Sequence, residues 1–291
     1  MLLLAALAAA GCGDDSAGPS RADLPAAPAG LAAGDTGPFV LTADGRAFAT
    51  AGNVPRALPG RVAPGPRGIA VARRSVWVAA PHTIVRIDPR GARPPVHLHS
   101  EAGLVGLAAA RRVVWALGAD GALIRLDPQR MTRYGTIGAA LPNARPIAVA
   151  ASPGSEWVLD RRGRLLRLNQ TGERLRWIGV GRGAVAVSTG GGYVWVARRD
   201  GLLLQIRPRR QGWDVRRIRL GGRPADVGFG GGRAWVADSR GRLLAVRPGS
   251  GRPAGPPLAV GAGALAVAYD GGAAWVARSA GGRGELLRIR P

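Results

Sequence analysis

The sequence predicts an all-β chain folded as a seven-bladed β-propeller, and three observations carry that prediction. A tryptophan set in a valine-rich strand recurs at Trp77, Trp115, Trp157, Trp195, Trp235 and Trp275, with steps of 38, 42, 38, 40 and 40 residues. One more step of 38 back from Trp77 reaches Phe39 in Pro38-Phe39-Val40-Leu41, a degenerate seventh copy. A period near 40 that holds several short strands marks a propeller rather than a helical array. Leaving Phe39 out gives the alternative, a six-bladed ring.

The copy around Trp77 gives the plan of each repeat. Gly68 to Ala72 reads as a first strand, Arg73-Arg74 as a tight turn and Ser75 to Ala79 as a second strand. Thr83 to Ile87 is a third strand that stops at Asp88-Pro89, and Val96 to His99 a fourth. Nine residues separate Gly68 from Trp77, Gly106 from Trp115 and Gly30 from Phe39. Later copies are expected to lengthen the first hairpin with glycines, as in Gly190-Gly191-Gly192 and Gly230-Gly231-Gly232. Second hairpins carry Asp44-Gly45, Asp120-Gly121 and Asp200-Gly201, which suit type I′ turns because both central residues need positive φ. Third strands are expected to stop at Asp127-Pro128, Arg207-Pro208 and Arg247-Pro248, since proline cannot donate to a ladder.

The strands are almost continuously apolar, as they must be when neighbouring blades cover both faces. First strands are the smallest in side-chain volume (Leu107 to Ala110, Ile147 to Ala150, Ala184 to Val187, Leu265 to Ala268), so they are placed at the crowded central axis. The repeat tryptophans then form the core between blades. Trp177 and Trp213 repeat in no other copy and are the candidates for exposed aromatics. The last copy ends after its third strand, Glu285 to Ile289, and Arg21-Ala22-Asp23-Leu24 stands where an outer strand would precede the next repeat. That segment is expected to complete the last blade and remove an open edge. The propeller domain is read as residues 30–291, behind a signal segment, 1–11, and a lipidated cysteine with its tether, 12–29.

Residues 1–11 are apolar and too short to span a bilayer. They run into Ala9-Ala10-Gly11-Cys12, which resembles a bacterial lipobox and holds the single cysteine of the chain. The resemblance implies lipidation of Cys12 and an extracytoplasmic, membrane-anchored protein. With Cys12 used in this way, no thiol remains for a disulfide, a metal or a nucleophile.

The net charge is +23, and the 41 basic residues are all arginine. Such a balance points to nucleic acid or an anionic surface. An excess of Ala, Gly, Arg and Pro is also what a GC-rich coding sequence produces. Arg174, Arg176, Arg216, Arg217 and Arg219 fall on expected outer strands, where charge blocks sheet-to-sheet pairing. Nucleic acid is a poor fit for an exported chain; lipid headgroups or cell-envelope polymers fit better.

The search for chemistry yields little. His97 and His99 share one face of a fourth strand, with Glu101 the nearby carboxylate, and are the weak candidates for a metal or catalytic site. Asp160 and Asp238 each stand three residues after a repeat tryptophan, where a turn role is expected. Glu156, Glu173, Asp226 and Asp270 have no evident job. No acid–base pair, Gly-x-Ser-x-Gly elbow, phosphate loop or zincin motif stands out.

Leu220 to Val227 entering a first strand, followed by Ala234-Trp235-Val236-Ala237-Asp238, resembles bacterial YVTN-type propellers; the chain is similar also to virginiamycin B lyase-like and NHL propellers. The resemblance implies the fold. The lyase relatives use a histidine and acidic residues around a channel metal, which find no match here because the histidines fall off the first strands. The expected function is a monomeric, lipid-anchored binding or scaffold module for an anionic polymer or a protein, without cofactor or metal. A propeller-type lyase or hydrolase is the alternative. The expected binding site is the mouth formed by loops that enter the first strands, with Arg67, Arg145, Arg182, Arg223 and Asp226.

Overall fold

The computed structural model describes residues 19–34, 37–51, 54–110, 113–130, 132–137, 145–169 and 171–290. Among these, the strands form seven four-stranded antiparallel sheets. Blades 1 to 6 occupy residues 28–57, 68–99, 104–137, 146–179, 184–219 and 224–259 in turn, each ordered inner to outer along the chain. Blade 7 takes its three inner strands from residues 264–289 and its outer strand from Ser20–Leu24.

That last pairing runs from Ser20↔Arg288 to Leu24↔Gly284. Ala22 and Leu24 are buried against Trp275, while Arg21 reaches Glu285, which also pairs with Arg278 of the neighbouring strand. Strand structure therefore extends into the segment read as tether, and the inner strand of blade 1 begins at Pro28 rather than Gly30. Alternation of Ala22 and Leu24 with Arg21 and Asp23 is a strand signal that composition alone hides.

Two local expectations change. The first hairpins are not lengthened in later copies. Nine residues separate one aligned inner-strand position from the repeat aromatic in every blade, from Gly30 and Phe39 to Ala266 and Trp275. The glycine pairs 191–192, 231–232 and 271–272 occupy the same two turn positions as Arg73-Arg74. Extra residues in six inner strands are taken up by a β-bulge instead, as between Ala184 and Ala186. In blade 5 the third strand also runs through Arg207-Pro208 to Arg209, pairing Pro208 with Trp213. Beyond Ile206 only the outer strand pairs with it, so one side has no ladder to complete and proline is tolerated.

The tryptophans form the core between blades. Trp77, Trp115, Trp157, Trp195 and Trp235 are all 0–1% exposed, and Phe39 fills the same place in blade 1. Trp77 packs on Leu104, Leu107 and Val114 of blade 3, and Trp275 on Val40 of blade 1, which closes the ring.

Neighbouring blades fit by complementary volume near the first hairpins. Where blades 5 and 6 place Gly190 and Gly230, the next blade lays Phe229 and Tyr269 over them; a Cβ on Gly230 would come 2.5 Å from Tyr269. Where blades 2 and 3 meet, the same two positions are Ala72 and Ala109. Phe229 stacks on Trp195 at 6.4 Å and Tyr269 on Trp235 at 5.8 Å. In blades 4 and 7 an arginine from the third strand covers the tryptophan instead, Arg167 on Trp157 at 5.6 Å and Arg288 on Trp275 at 5.4 Å. Trp213 also packs edge-on against Trp157, whereas Trp177 on the outer strand of blade 4 is 60% exposed.

Candidate functional site: the central channel and its arginine rim

Inner strands of all seven blades line a channel of about 450 Å³. Its wall is mostly Gly, Ala, Val, Leu and Ile, with Phe229 and Tyr269 deeper along blades 6 and 7. Two charged residues among those described line it, Arg67 and Asp226.

Asp226 occupies the inner-strand position nine residues before the repeat aromatic, which is Gly30, Gly68, Gly106, Ala148, Ala186 and Ala266 in the other six blades. The bulge beside it turns the side chain toward blade 7, where Oδ2 accepts a hydrogen bond from the Val267 amide at 2.9 Å. Burial pushes the carboxyl up to about 6, while the amides of Val267 and Val227 pull it partly back. Asp226 is thus a latch between blades and also the one described carboxylate in the channel wall.

Most of the other described carboxylates have structural work. Asp238 is fully buried and closes the second hairpin of blade 6: it accepts from the amides of Arg223 and Arg240 at 2.9 and 3.0 Å and from Arg242 Nη2 at 2.6 Å. Burial alone would raise its carboxyl, but the Arg240 amide, the Arg242 guanidinium and the Arg223 amide hold it below the ordinary range. Asp160 plays the same part in blade 4 with Arg164. Asp44 pairs with Arg46, Asp200 with Arg198, and Glu285 with Arg278 and Arg21. Glu156 is buried between blades 3 and 4; burial lifts it to about 7, with Trp115 and Arg125 drawing it back. Glu173 accepts from the Asn169 amide group on an exposed turn, and the Asp270 carbonyl accepts from the Trp275 indole.

The loops that enter the inner strands and the second hairpins share one face, here the upper face, and are tied together. Arg161 N donates to Arg145 O at 2.8 Å, Arg199 N to Gly183 O at 2.8 Å and Ser239 N to Arg223 O at 3.0 Å. These ties fix the backbone beneath Arg145, Arg182 and Arg223, whose exposed side chains make no ion pair with a described carboxylate. Of the five residues expected at the mouth, Arg67 and Asp226 come together in the channel. Arg145, Arg182 and Arg223 stand outside its lining, on the rim. His97 and His99 lie exposed on the outer strand of blade 2, with Glu101 exposed just beyond it, at the far end of the blade from the channel. Among the described residues, no group of three or more His, Cys, Asp or Glu is placed to hold a metal. Cys12 lies outside the described residues, and among those described no helix is long and apolar enough to cross a membrane.

No protein-family model matches the sequence, and no curated protein matches it. Solved structures do. The Cps50 (Swd1) β-propeller domain of Myceliophteria thermophila superposes with a TM-score of 0.73 at 12% identity, covering 92% of this chain and 98% of that one. The Pan2 WD40 domain of Neurospora crassa gives a TM-score of 0.72 at 11% identity, covering 91% and 90%. At such identities the likeness is one of fold, and it establishes the chain as a seven-bladed β-propeller of WD40-like architecture.

Proposed function

We propose that the chain is a binding or scaffold module without chemistry of its own, and that it takes an anionic partner at the channel mouth of the upper face. One observation carries the reading. Carboxylates of the second hairpins in blades 1, 4, 5 and 6 are each consumed by an arginine of their own blade, Asp120 of blade 3 binding the Ala122 amide instead, while Arg67, Arg145, Arg182 and Arg223 around the mouth are left exposed and unpaired among the described residues. Neutralised turns beside free guanidinium groups concentrate positive potential at the mouth, and guanidinium suits carboxylate or phosphate.

The Ala9-Ala10-Gly11-Cys12 run and the resemblance of residues 220–238 to YVTN-type copies support placing the module on the outer side of a bacterial membrane, anchored by lipid on Cys12. An envelope polymer or an acidic protein surface is then the partner within reach. Replacing Arg145, Arg182 and Arg223 with Ser should lower retention on anionic cell-wall polymer, with the gap closing as salt rises, because exposed charges are screened within about 10 Å at about 0.1 M. Equal retention across the salt series overturns the site. Cys12→Ser should move the protein from membrane to soluble fractions; wild type without lipid by mass spectrometry overturns the anchor.

A further inference from the structure

The opposite, lower face carries a second concentration of arginine, in a cleft of about 550 Å³ between blades 2 and 3. Arg73, Arg74, Arg86, Arg90 and Arg93 line it with one carboxylate among the described residues, Asp88, whose Oδ1 accepts from the Arg90 amide at 2.9 Å. Arg86 Nη1 donates to Gln129 O at 3.3 Å. None of the five makes an ion pair with a described carboxylate, although eight other arginines of the chain do.

The backbone makes this cleft more than a by-product of arginine-rich composition. Arg73 and Arg74 have φ of 47° and 61°, the only described non-glycine residues in the left-handed region. The same two turn positions are Gly191-Gly192, Gly231-Gly232 and Gly271-Gly272 in blades 5, 6 and 7. Glycine is as available here as arginine, with 46 against 41 in the chain, so bias that supplies the one supplies the other. A side chain in this conformation costs about 1 kcal/mol or more per residue, and such strain gathers at functional sites. In sequence, blade 3 repeats the substitution with Arg111-Arg112, outside the described residues.

We propose that this cleft is a binding site for a ligand bearing two or more linked phosphate groups. Five guanidinium groups against one carboxylate leave a local excess of four positive charges, and their forked donors match the paired oxygens of tetrahedral phosphate. A single carboxylate or orthophosphate satisfies too few of them. The ligand's source is either a soluble polyphosphorylated molecule or a phosphorylated lipid headgroup, which share this chemistry.

Titration calorimetry with inorganic tripolyphosphate tests the site, with orthophosphate as the weaker reference. Arg73→Gly/Arg74→Gly, which installs the turn of blades 5 to 7, should hold the melting temperature at or above wild type and weaken tripolyphosphate by about tenfold or more. Arg90→Gln/Arg93→Gln, at exposed positions, should weaken it similarly without touching the turn. Arg216→Gln/Arg217→Gln removes equal charge from the outer strand of blade 5, and Arg145→Ser/Arg182→Ser/Arg223→Ser removes the upper rim; both should leave affinity within about twofold. Equal loss in either control assigns binding to net charge and overturns the proposal, as does an unchanged affinity in both cleft variants. Phosphatidylcholine vesicles carrying a bisphosphorylated headgroup distinguish the source: cosedimentation lost in the cleft variants supports the lipid, while tripolyphosphate binding without cosedimentation supports the soluble ligand.

Discussion

Blades 5 and 6 and blades 2 and 3 are built from the same repeat but solve its local problems differently. In blades 5 and 6 the first turn is a glycine pair, the indole N–H of Trp195 and Trp235 donates to Gly190 O and Gly230 O at 3.1 Å, and an aromatic ring of the next blade covers the tryptophan. In blade 2 the turn is a strained arginine pair, and Trp77 Nε1 is buried without a hydrogen-bond partner. Turn chemistry, indole hydrogen bonding and packing agree in the first pair of blades, although the Gln205 amide of blade 5 is buried without a partner. The second pair departs from those rules at the cleft where unpaired arginines gather. Departures of this kind mark positions selected for something other than stability.

The comparison is sharpened most strongly by the tryptophans. Trp235→Ala should cost about 3–5 kcal/mol in urea unfolding, from lost burial and a cavity. Trp77→Ala should cost about 1 kcal/mol less, because it frees no satisfied hydrogen bond. Equal costs would show that the indole bonds of blades 5 and 6 add nothing.

Asp226 is a charged exception inside the regular half, and pH exposes it. Its carboxyl is raised from 3.8 to about 6, so the folded chain binds the proton more tightly than the unfolded one. The contribution is therefore favourable below about pH 4 and is lost as pH rises to about 6, a change of up to about 3 kcal/mol. Asp226→Asn keeps an acceptor for the Val267 amide and removes the charge. It should be more stable than wild type at pH 7 to 8 and flatten the pH profile between 4 and 6, as read by melting temperature. A wild-type profile already flat there contradicts the assignment.

Smaller effects come from the fit between blades. Gly230→Ala drives a methyl into Tyr269 and should cost about 1–3 kcal/mol, whereas Ala72→Gly in blade 2 loses backbone order and one buried methyl and should cost about 1–2 kcal/mol. Chemical denaturation reads both; destabilisation by a methyl added in one place and by a methyl removed in the other supports the fit, and a Gly230→Ala variant as stable as wild type removes it.

Most of this ring was legible because the repeat is regular where burial is complete. The tryptophan spacing located every second strand, and small residues such as Ala184 to Val187 located the inner strands that line the channel. The turn roles of Asp160 and Asp238 followed from their fixed offset after tryptophan. The bulges were hidden, since an extra residue in a strand and an extra residue in a hairpin look alike in sequence. Proline at 208 misled because its ladder partner depends on which neighbour has already ended. The lower cleft was missed although its signal was present: Arg73-Arg74 was read as an ordinary tight turn, when aligned glycine pairs in three later blades flag those two positions as requiring positive φ.

Hydrogen exchange with and without tripolyphosphate tests the division between the two halves most directly. In free protein, amides of Arg233–Asp238 and Tyr193–Arg198 should exchange more slowly than those of Ser75–Ala80 and Val113–Gly118. Tripolyphosphate should slow exchange around residues 72–94 and leave blades 5 and 6 unchanged. Uniform protection of all four strands in the free protein, with no change around the cleft on adding tripolyphosphate, would contradict the account.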